Sequence, residues 1–411
     1  MEHLARSVLF VTTSFPRFVG DFAGSFVHRF ARYLVRDGMQ VTVLAPGAPG
    51  YPAAETLDGI QVRRFAYFFP RRRQMLAYQG GGVLANVRRS WLGKAQLLPL
   101  FSAMVLAILR HQNRCDLIHC HWLPTAIAAL LARPFSRVRP PIVFTNWGSD
   151  TRLLPLWLVR WTVSRVEGCI STAVETDAHL RAAGRTDFRR IPAPVNEEQF
   201  NRNAVRADLR RELGIAPMIP VFAFVGRLDS FKDPLTFLRA CALLRQRGVA
   251  FAAVVMGDGP LMPDCRRMVA AFDLQAHVHL TGMRPDPERL YKIAVAAVHI
   301  SPVENTWANA IAEAMFMEVP VVLSDAGYTT QLFTHRQDCL IVPPQNPPRL
   351  ADALQTLLED ESLRRKLAAG AKRLLQKHNK DTRSIVRATR AYYDEILSRA
   401  RKEKTHARPD A

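Results

Sequence analysis

The sequence predicts an α/β protein made of two Rossmann-like β/α/β domains. Three observations lead there. Both halves open on the same theme of apolar run, glycine-bearing turn and amphipathic helix: SVLFVTT before SFPRFVGDFAGSF, and VFAFV before GRLDSFKDPLTFLRA. The runs are apolar at nearly every position instead of alternately, which suits parallel strands buried on both faces. At 411 residues the chain is longer than one core usually serves, so two domains are expected.

Composition narrows the class. A hydrophobic content of 48% with mixed charge is that of a globular protein and excludes a disordered one. Apolar stretches such as residues 97–109 are too short to span a bilayer, and that one contains Pro99. MEHLARS runs straight into a strand without a cleavage pattern, so a cytoplasmic protein is expected. The six cysteines are scattered in apolar surroundings and read as reduced core thiols. Cys115, His119, Cys120 and His121 do not form a metal site, because neighbouring strand residues point to opposite faces.

The net charge of +20 demands a partner or a surface. Between Asp58 and Asp116 there is no acidic residue, while Arg63, Arg64, Arg71, Arg72, Arg73, Arg88, Arg89, Lys94, Arg110 and Arg114 all fall there. Phe65, Tyr67, Phe68, Phe69, Tyr78 and Trp91 are interleaved. That mixture suits the anionic face of a membrane or an anionic lipid-linked acceptor. No nucleic-acid motif accompanies it, so nucleic acid is not expected as a partner.

In chain order, residues 7–13 form a strand and SFPRFVGDFAGSF a loop. A helix follows with Phe26, Phe30 and Tyr33 near one face, closed by Gly38 before the strand MQVTVLAP. Gly20 and Gly24 let backbone approach a phosphate closely. Their spacing is not G-x-G-x-x-G and no acidic residue ends the second strand, so no dinucleotide site is expected. GGG at 80–82 is a flexible joint, since no strand precedes it. DLIHCH is a strand ending at His121 and Trp122, and PIVFTNWGSD the next strand and loop. ETD, residues 175–177, looks like a metal-binding acid-x-acid pair, but it opens a helix where dipole pairing accounts for it. No metal is assigned.

The prolines of RRIPAPVNEEQF suit a hinge. Residues 221–225 are a strand and Gly226 a turn residue, with Asp233-Pro234 as helix cap and first-turn proline. Arg227 and Lys232 lie in this strand-to-helix loop, where two cations can grip a diphosphate from two sides. FAAVVM followed by Gly257-Asp258-Gly259-Pro260 repeats the theme. The most informative run is HISPVENTWANAIAEAMFMEVPVVLSDAG: a strand at 296–300, a loop with Glu304, a helix from about 308 to 316 with Glu313, and a strand at 319–323. The free N–H groups at that helix start, around Ala308, Asn309 and Ala310, face whatever sits above the strand tips, where open α/β sheets hold anions. Residues 351–375 read as one amphipathic helix and 384–397 as another, ahead of a basic, frayed tail, RKEKTHARPDA.

The run HISPVENTWANAIAEAMFMEVPVVLSDAG resembles the signature of the retaining family 4 glycosyltransferases, which have the GT-B fold: Glu, seven residues, Glu-Ala-Met, then a Pro-Val-Val strand. The resemblance covers nearly the whole chain and is most specific between Val221 and Val322. It implies two Rossmann-like domains facing each other across a donor-binding cleft. By residue it implies that Glu313 binds the ribose hydroxyls of a nucleotide-sugar and that the first Glu touches the donor sugar. Here eight residues separate Glu304 from Glu313, so Glu304 and, in strict register, Asn305 are both candidates. Arg227 and Lys232 would hold the diphosphate, Gly226, Gly257 and Gly259 would lie beside the nucleotide, and backbone around Met283 and Arg284 would bond the base. The loop with Gly20 and Gly24 would face donor phosphates and acceptor. His121 maps to a residue lining the donor-sugar pocket, and Gly148 and Asp150 match a second motif whose usual histidine is here Trp147. Tyr328 and Gln331 replace the usual glycine pair and acid, and Glu318 stands where relatives often have glycine.

The expected organisation is an N-terminal acceptor-side domain at 1–195, a nucleotide-sugar-binding domain at 196–380, a helix at 381–403 crossing back to the first domain, and a basic tail at 404–411. The expected activity is transfer of a sugar from a nucleoside-diphosphate sugar to an acceptor hydroxyl with retention, without metal or cofactor. The acceptor expected is a lipid-linked or cell-envelope glycan, met peripherally at the inner face of the cell membrane. A GT-B nucleotide-sugar 2-epimerase and a non-catalytic nucleotide-binding scaffold are the alternatives.

Overall fold

A computed structural model of the chain describes residues 6–18, 21, 23–78, 83, 86–87, 90–148, 151, 154–205, 209–303, 308–378 and 381–406. The chain divides into two compact units, Met1–Pro194 with Thr382–Ala411, and Val195–Asp381.

Among the described residues the first unit carries an eight-stranded sheet in the order β3-β4-β2-β1-β5-β6-β7-β8. The strands are β1 (Ser7–Val11), β2 (Gln40–Pro46), β3 (Ala54–Leu57), β4 (Ile60–Phe65), β5 (Leu117–His121), β6 (Ile142–Asn146), β7 (Gly168–Ser171) and β8 (Arg189–Arg190). All neighbours pair in parallel except β3 with β4. The sheet is apolar on both faces because both are covered. Val8, Phe10, Val41 and Val43 pack with helix α1 (Ser25–Arg36) and with Tyr392, Tyr393 and Ile396 of the C-terminal helix Thr382–His406. Leu9, Val11, Leu44, Ile118 and Phe144 pack on the other side with α2 (Leu97–His111) and α3 (Leu123–Ala132). Each such side chain contributes about 1.5–3 kcal/mol on full burial, so the continuous apolar runs are the main stabiliser of the layer.

The second unit holds a six-stranded parallel sheet in the order β11-β10-β9-β12-β13-β14. Its strands are β9 (Val221–Val225), β10 (Ala252–Met256), β11 (Val278–Gly282), β12 (Ala294–His299), β13 (Val321–Ser324) and β14 (Leu340–Val342). The chain runs outward one way from β9 to β11 and the other way from β12 to β14. The topological switch point therefore lies between the tips of β9 and β12, where α/β sheets bind ligands. Helix α4 (Pro234–Gln246) follows β9, α5 (Met262–Ala271) follows β10, and α6 (Asn309–Phe316) follows β12. Asp233 caps α4, accepting from the Thr236 N–H at 3.2 Å, with Pro234 in the first turn.

The two α/β units, each built on a largely parallel sheet, are of the kind expected of a GT-B protein. Three sequence expectations need correction. Residues 351–375 are not one helix. Pro347–Glu359 ends at Asp360, whose extended backbone and side chain, accepting from the Leu363 N–H at 2.8 Å, start a second helix, Glu361–Lys377. Such a cap is worth about 1 kcal/mol, and the change of direction seats Gly370 against the Gln337 carbonyl. The tail does not fray from residue 401, since helix runs to His406. Nor are the apolar stretches all short: the most apolar 18-residue window within helical residues Trp91–Arg114 has a mean hydropathy of 1.7, enough by length and composition to cross a membrane. One-third of that window is buried, and Leu100, Met104 and Ile108 of α2 face the core.

Glu318, expected at a glycine position, adopts φ 58°. A non-glycine residue there is strained by roughly 1–2 kcal/mol, against a smaller entropic cost of glycine. Glu318→Gly should stabilise the second unit by about 0.5–1 kcal/mol in chemical denaturation, and a loss of stability would contradict the strain.

Candidate functional site

At the tips of β9, β10 and β11 three loops lock together through backbone. The Gly226 N–H donates to the Met256 carbonyl at 3.1 Å, the Leu228 N–H to the Asp258 carbonyl at 3.0 Å, and the Gly257 N–H to the Gly282 carbonyl at 2.9 Å. A side chain at Gly257 would put its Cβ 1.8 Å from the Gly226 carbonyl oxygen, and one at Gly259 would lie 2.4 Å from that of Leu228. Both glycines are thus demanded by loop-on-loop contact.

This packing positions Arg227 and Lys232. Asp229, buried between them, was not singled out from sequence. One of its carboxylate oxygens accepts from the backbone N–H groups of Phe231 and Lys232, each at 3.1 Å. The other accepts from Arg227 Nε at 2.9 Å. The Arg227 side chain is 58% exposed, so this pair is worth at most about 1 kcal/mol and leaves the guanidinium cheaply exchangeable for another anion. The Lys232 ammonium lies 3.3 Å from Nε2 of His299, the last residue of β12. Two cations therefore stand at the switch point. A turn-forming Asp two residues after the Arg was the available signal for Asp229; nothing local marked His299.

On the far side of β12, α6 carries Glu313, which is buried at 8% exposure. Beneath it, the Tyr291 hydroxyl donates to the Ala310 carbonyl at 3.1 Å, and burial, then Glu313, pushes the phenol well above its usual range. Ala308 caps α6, with Asn309 and Ala310 in its first turn. Met283 is half exposed just past Gly282, while the Arg284 side chain is committed to Asp286 at 2.8 Å and Glu212 at 2.5 Å. Gly20, Glu304, Asn305, Asp150 and the glycines at 80–82 lie outside the described residues.

In the first unit, Gly24 caps α1 at φ 66°, and a Cβ there would meet the Ser14 carbonyl oxygen at 2.2 Å, so its freedom is spent against its own loop. His121 ends β5 and is wholly buried. It stacks on His119 at 4.4 Å, and the Trp147 indole N–H donates to its Nδ1 at 3.3 Å. His119 itself is held by the Tyr393 hydroxyl at 2.5 Å and the Thr145 hydroxyl at 2.6 Å. The next residue, Trp122, takes φ 77° and ψ 150°, a region normally left to glycine, and such strain clusters at functional sites. Asp177 is not explained by helix dipole alone: it pairs with Arg190 and accepts from the Ser171 hydroxyl.

Residues 205–374 match the family described as glycosyl transferases group 1, and residues 23–199 match glycosyltransferase family 4. A D-inositol 3-phosphate glycosyltransferase of Nocardia farcinica is 32% identical over 383 residues, 86% of this chain and 80% of that enzyme. An alpha-D-kanosaminyltransferase of Streptomyces kanamyceticus is 27% identical over 221 residues, 52% of this chain, and that match spans only 57% of the enzyme's length. In fold, the chain is similar to Anabaena Alr3699/HepE in complex with UDP and glucose, with a TM-score of 0.71 and 18% identity over 95% of this chain and all of that one.

Burial pushes His119 down to about 3, and holds His121 and His299 well below the usual histidine range. All three are neutral when folded, whereas the unfolded chain protonates near pH 6.5. Their contribution is complete above that value and is lost as pH falls below it, because the unfolded state then binds more protons. The thermal midpoint should fall between about pH 7 and 5.5, and His119→Gln should make that slope shallower; an unchanged slope would contradict it.

Proposed function

The chain belongs to glycosyltransferase family 4, and from that premise we propose that it moves a sugar from a nucleoside diphosphate to an acceptor hydroxyl with retention at the anomeric carbon. The observation that carries this is the placing of Arg227 and Lys232 at the switch point of the second sheet, with buried Glu313 on the adjoining helix. Cations at that spot offset the charge that grows on a departing diphosphate, and they do so without reorganising. Glu313, buried on α6, would accept the two hydroxyls of a ribose. The anomeric C–O bond to phosphate breaks while the acceptor oxygen bonds the same face, and the acceptor proton passes to the departing phosphate oxygen. Such a step needs no separate base, and no cofactor beyond the donor.

We further assign the acceptor to lipid-linked or envelope glycans, handled by a cytoplasmic protein at an anionic membrane surface. What supports this is a set of exposed basic and apolar residues in the first unit. Arg71, Arg72, Arg73, Lys94, Arg110 and Arg114 are exposed, as are Phe69, Trp91 and Leu98. Arg64 is not part of that charge, being buried and paired with Glu55 at 2.6 Å.

Incubation with labelled nucleotide-sugars and a membrane extract tests the reaction. Label entering lipid or glycan supports transfer; isomerised or free sugar indicates an epimerase, and saturable binding without turnover a scaffold. Lys232→Met and Glu313→Gln should each lower kcat/KM about a hundredfold, and unaltered donor affinity and turnover would overturn the assignment. Sedimentation with vesicles should rise with anionic lipid, and Trp91→Ser with Leu98→Ser should weaken it; indifference to lipid charge would remove the membrane from the proposal.

A further inference from the structure

We propose that His299 is a positioning residue: its imidazole takes one N–H of the Lys232 ammonium at Nε2 and so orients that ammonium toward the diphosphate. This rests on the reaction just proposed, and it concerns a residue that no motif of the sequence marks. Lys232, in the loop after β9, and His299, the last residue of β12, meet across the switch point at 3.3 Å.

The chemistry of the pair fixes the direction of the bond. An ammonium has three donors and no acceptor. Nε2 of His299 must therefore offer its lone pair, which leaves the proton on Nδ1. The ring is 6% exposed, and burial together with the neighbouring lysine holds it neutral. An imidazolium in that place would have no lone pair to give and would repel the ammonium. His299 is in effect a permanent acceptor.

A lysine stem has four rotatable bonds, and ordering it when the donor arrives would cost affinity. Here its root is already set, because the Lys232 N–H is held by the Asp229 carboxylate at 3.1 Å and the Asp229 carbonyl at 3.2 Å. His299 fixes the far end. With both ends held before binding, the ammonium meets the diphosphate already oriented, which is the preorganisation that makes charge stabilisation effective.

Two substitutions and one spectrum test this. Glutamine places an amide oxygen near the position of Nε2, whereas leucine fills the space without an acceptor. His299→Leu should weaken nucleoside-diphosphate binding and lower kcat/KM about tenfold, and His299→Gln should stay within about threefold of wild type. Equal losses in the two variants, at matched thermal stability, would mean that the ring only fills space and would overturn the proposal. Nitrogen-15 spectra of the imidazoles give a readout independent of turnover. His299 should carry its proton on Nδ1 with Nε2 as acceptor, and Lys232→Met should shift the Nε2 resonance. A proton on Nε2, or a resonance indifferent to Lys232→Met, would overturn it even where the leucine variant fails to fold. If wild-type protein ignores uridine, guanosine, adenosine, cytidine and thymidine diphosphates in a thermal-shift assay, the parent reaction falls and the role assigned to the pair falls with it, while the tautomer still reports their contact.

Discussion

The site depends first on backbone meeting backbone at the tips of β9 and β10. With Gly257 packed on the Gly226 carbonyl and Gly259 on that of Leu228, there is no room for a single added carbon atom. Because the two loops bond reciprocally, the stretch from Gly226 to Lys232 is braced before any side chain is considered. The fold spends its glycines on rigidity, and the rigid loop then carries the charges. This inverts the simplest reading of a glycine-rich loop, in which the absent side chain makes room for a phosphate.

From that brace follows a division of electrostatic labour. Asp229 serves two purposes with two oxygens, closing the turn with one and steadying Arg227 with the other. The same carboxylate could have neutralised the site, but an ion pair with one member more than half exposed is too weak to compete with a doubly charged ligand. Positive charge therefore gathers at the junction of β9 and β12, and negative charge sits separately on α6 in Glu313, with Tyr291 fixing the first turn of that helix. A ligand anionic at one end and rich in hydroxyls at the other matches that polarity.

What the sequence made legible was whatever is encoded locally. Strands read as apolar runs because both sheet faces are covered, and α4 announced itself through Asp233-Pro234. Arg227 and Lys232 in the loop after β9, and Glu313 on the helix after β12, sit within recognisable spacings, so those places along the chain were readable too. The misreadings have a common physical origin. Asp360 breaks a helix whose apolar period continues on either side of it, so periodicity alone runs straight through the capped break. Helical residues Trp91–Arg114 were underestimated because Pro99 falls in the first turn of α2, where a missing N–H costs nothing. His299, Tyr291 and Tyr393 were invisible for another reason: each acts through a partner distant in the chain, 274 residues away for His119 and Tyr393, and no local pattern records such a pairing.

In the first unit a departure from the family pattern changes the chemistry around His121. Where relatives of the signature carry a histidine, Trp147 donates its indole N–H to Nδ1 of His121. An indole can only donate, so Nδ1 accepts and the His121 proton resides on Nε2. The ring is wholly buried against Phe10, at 4.6 Å, and against His119, whose own nitrogens are both engaged by hydroxyls. Burial keeps both imidazoles uncharged. Neither histidine is therefore suited to exchange protons near neutrality, and the pair acts as a rigid floor. The surface presented above that floor is the half-buried indole of Trp147, steadied by Phe26 at 4.5 Å. The indole is a flat, uncharged aromatic face just past the end of β6, of the kind that packs against C–H groups.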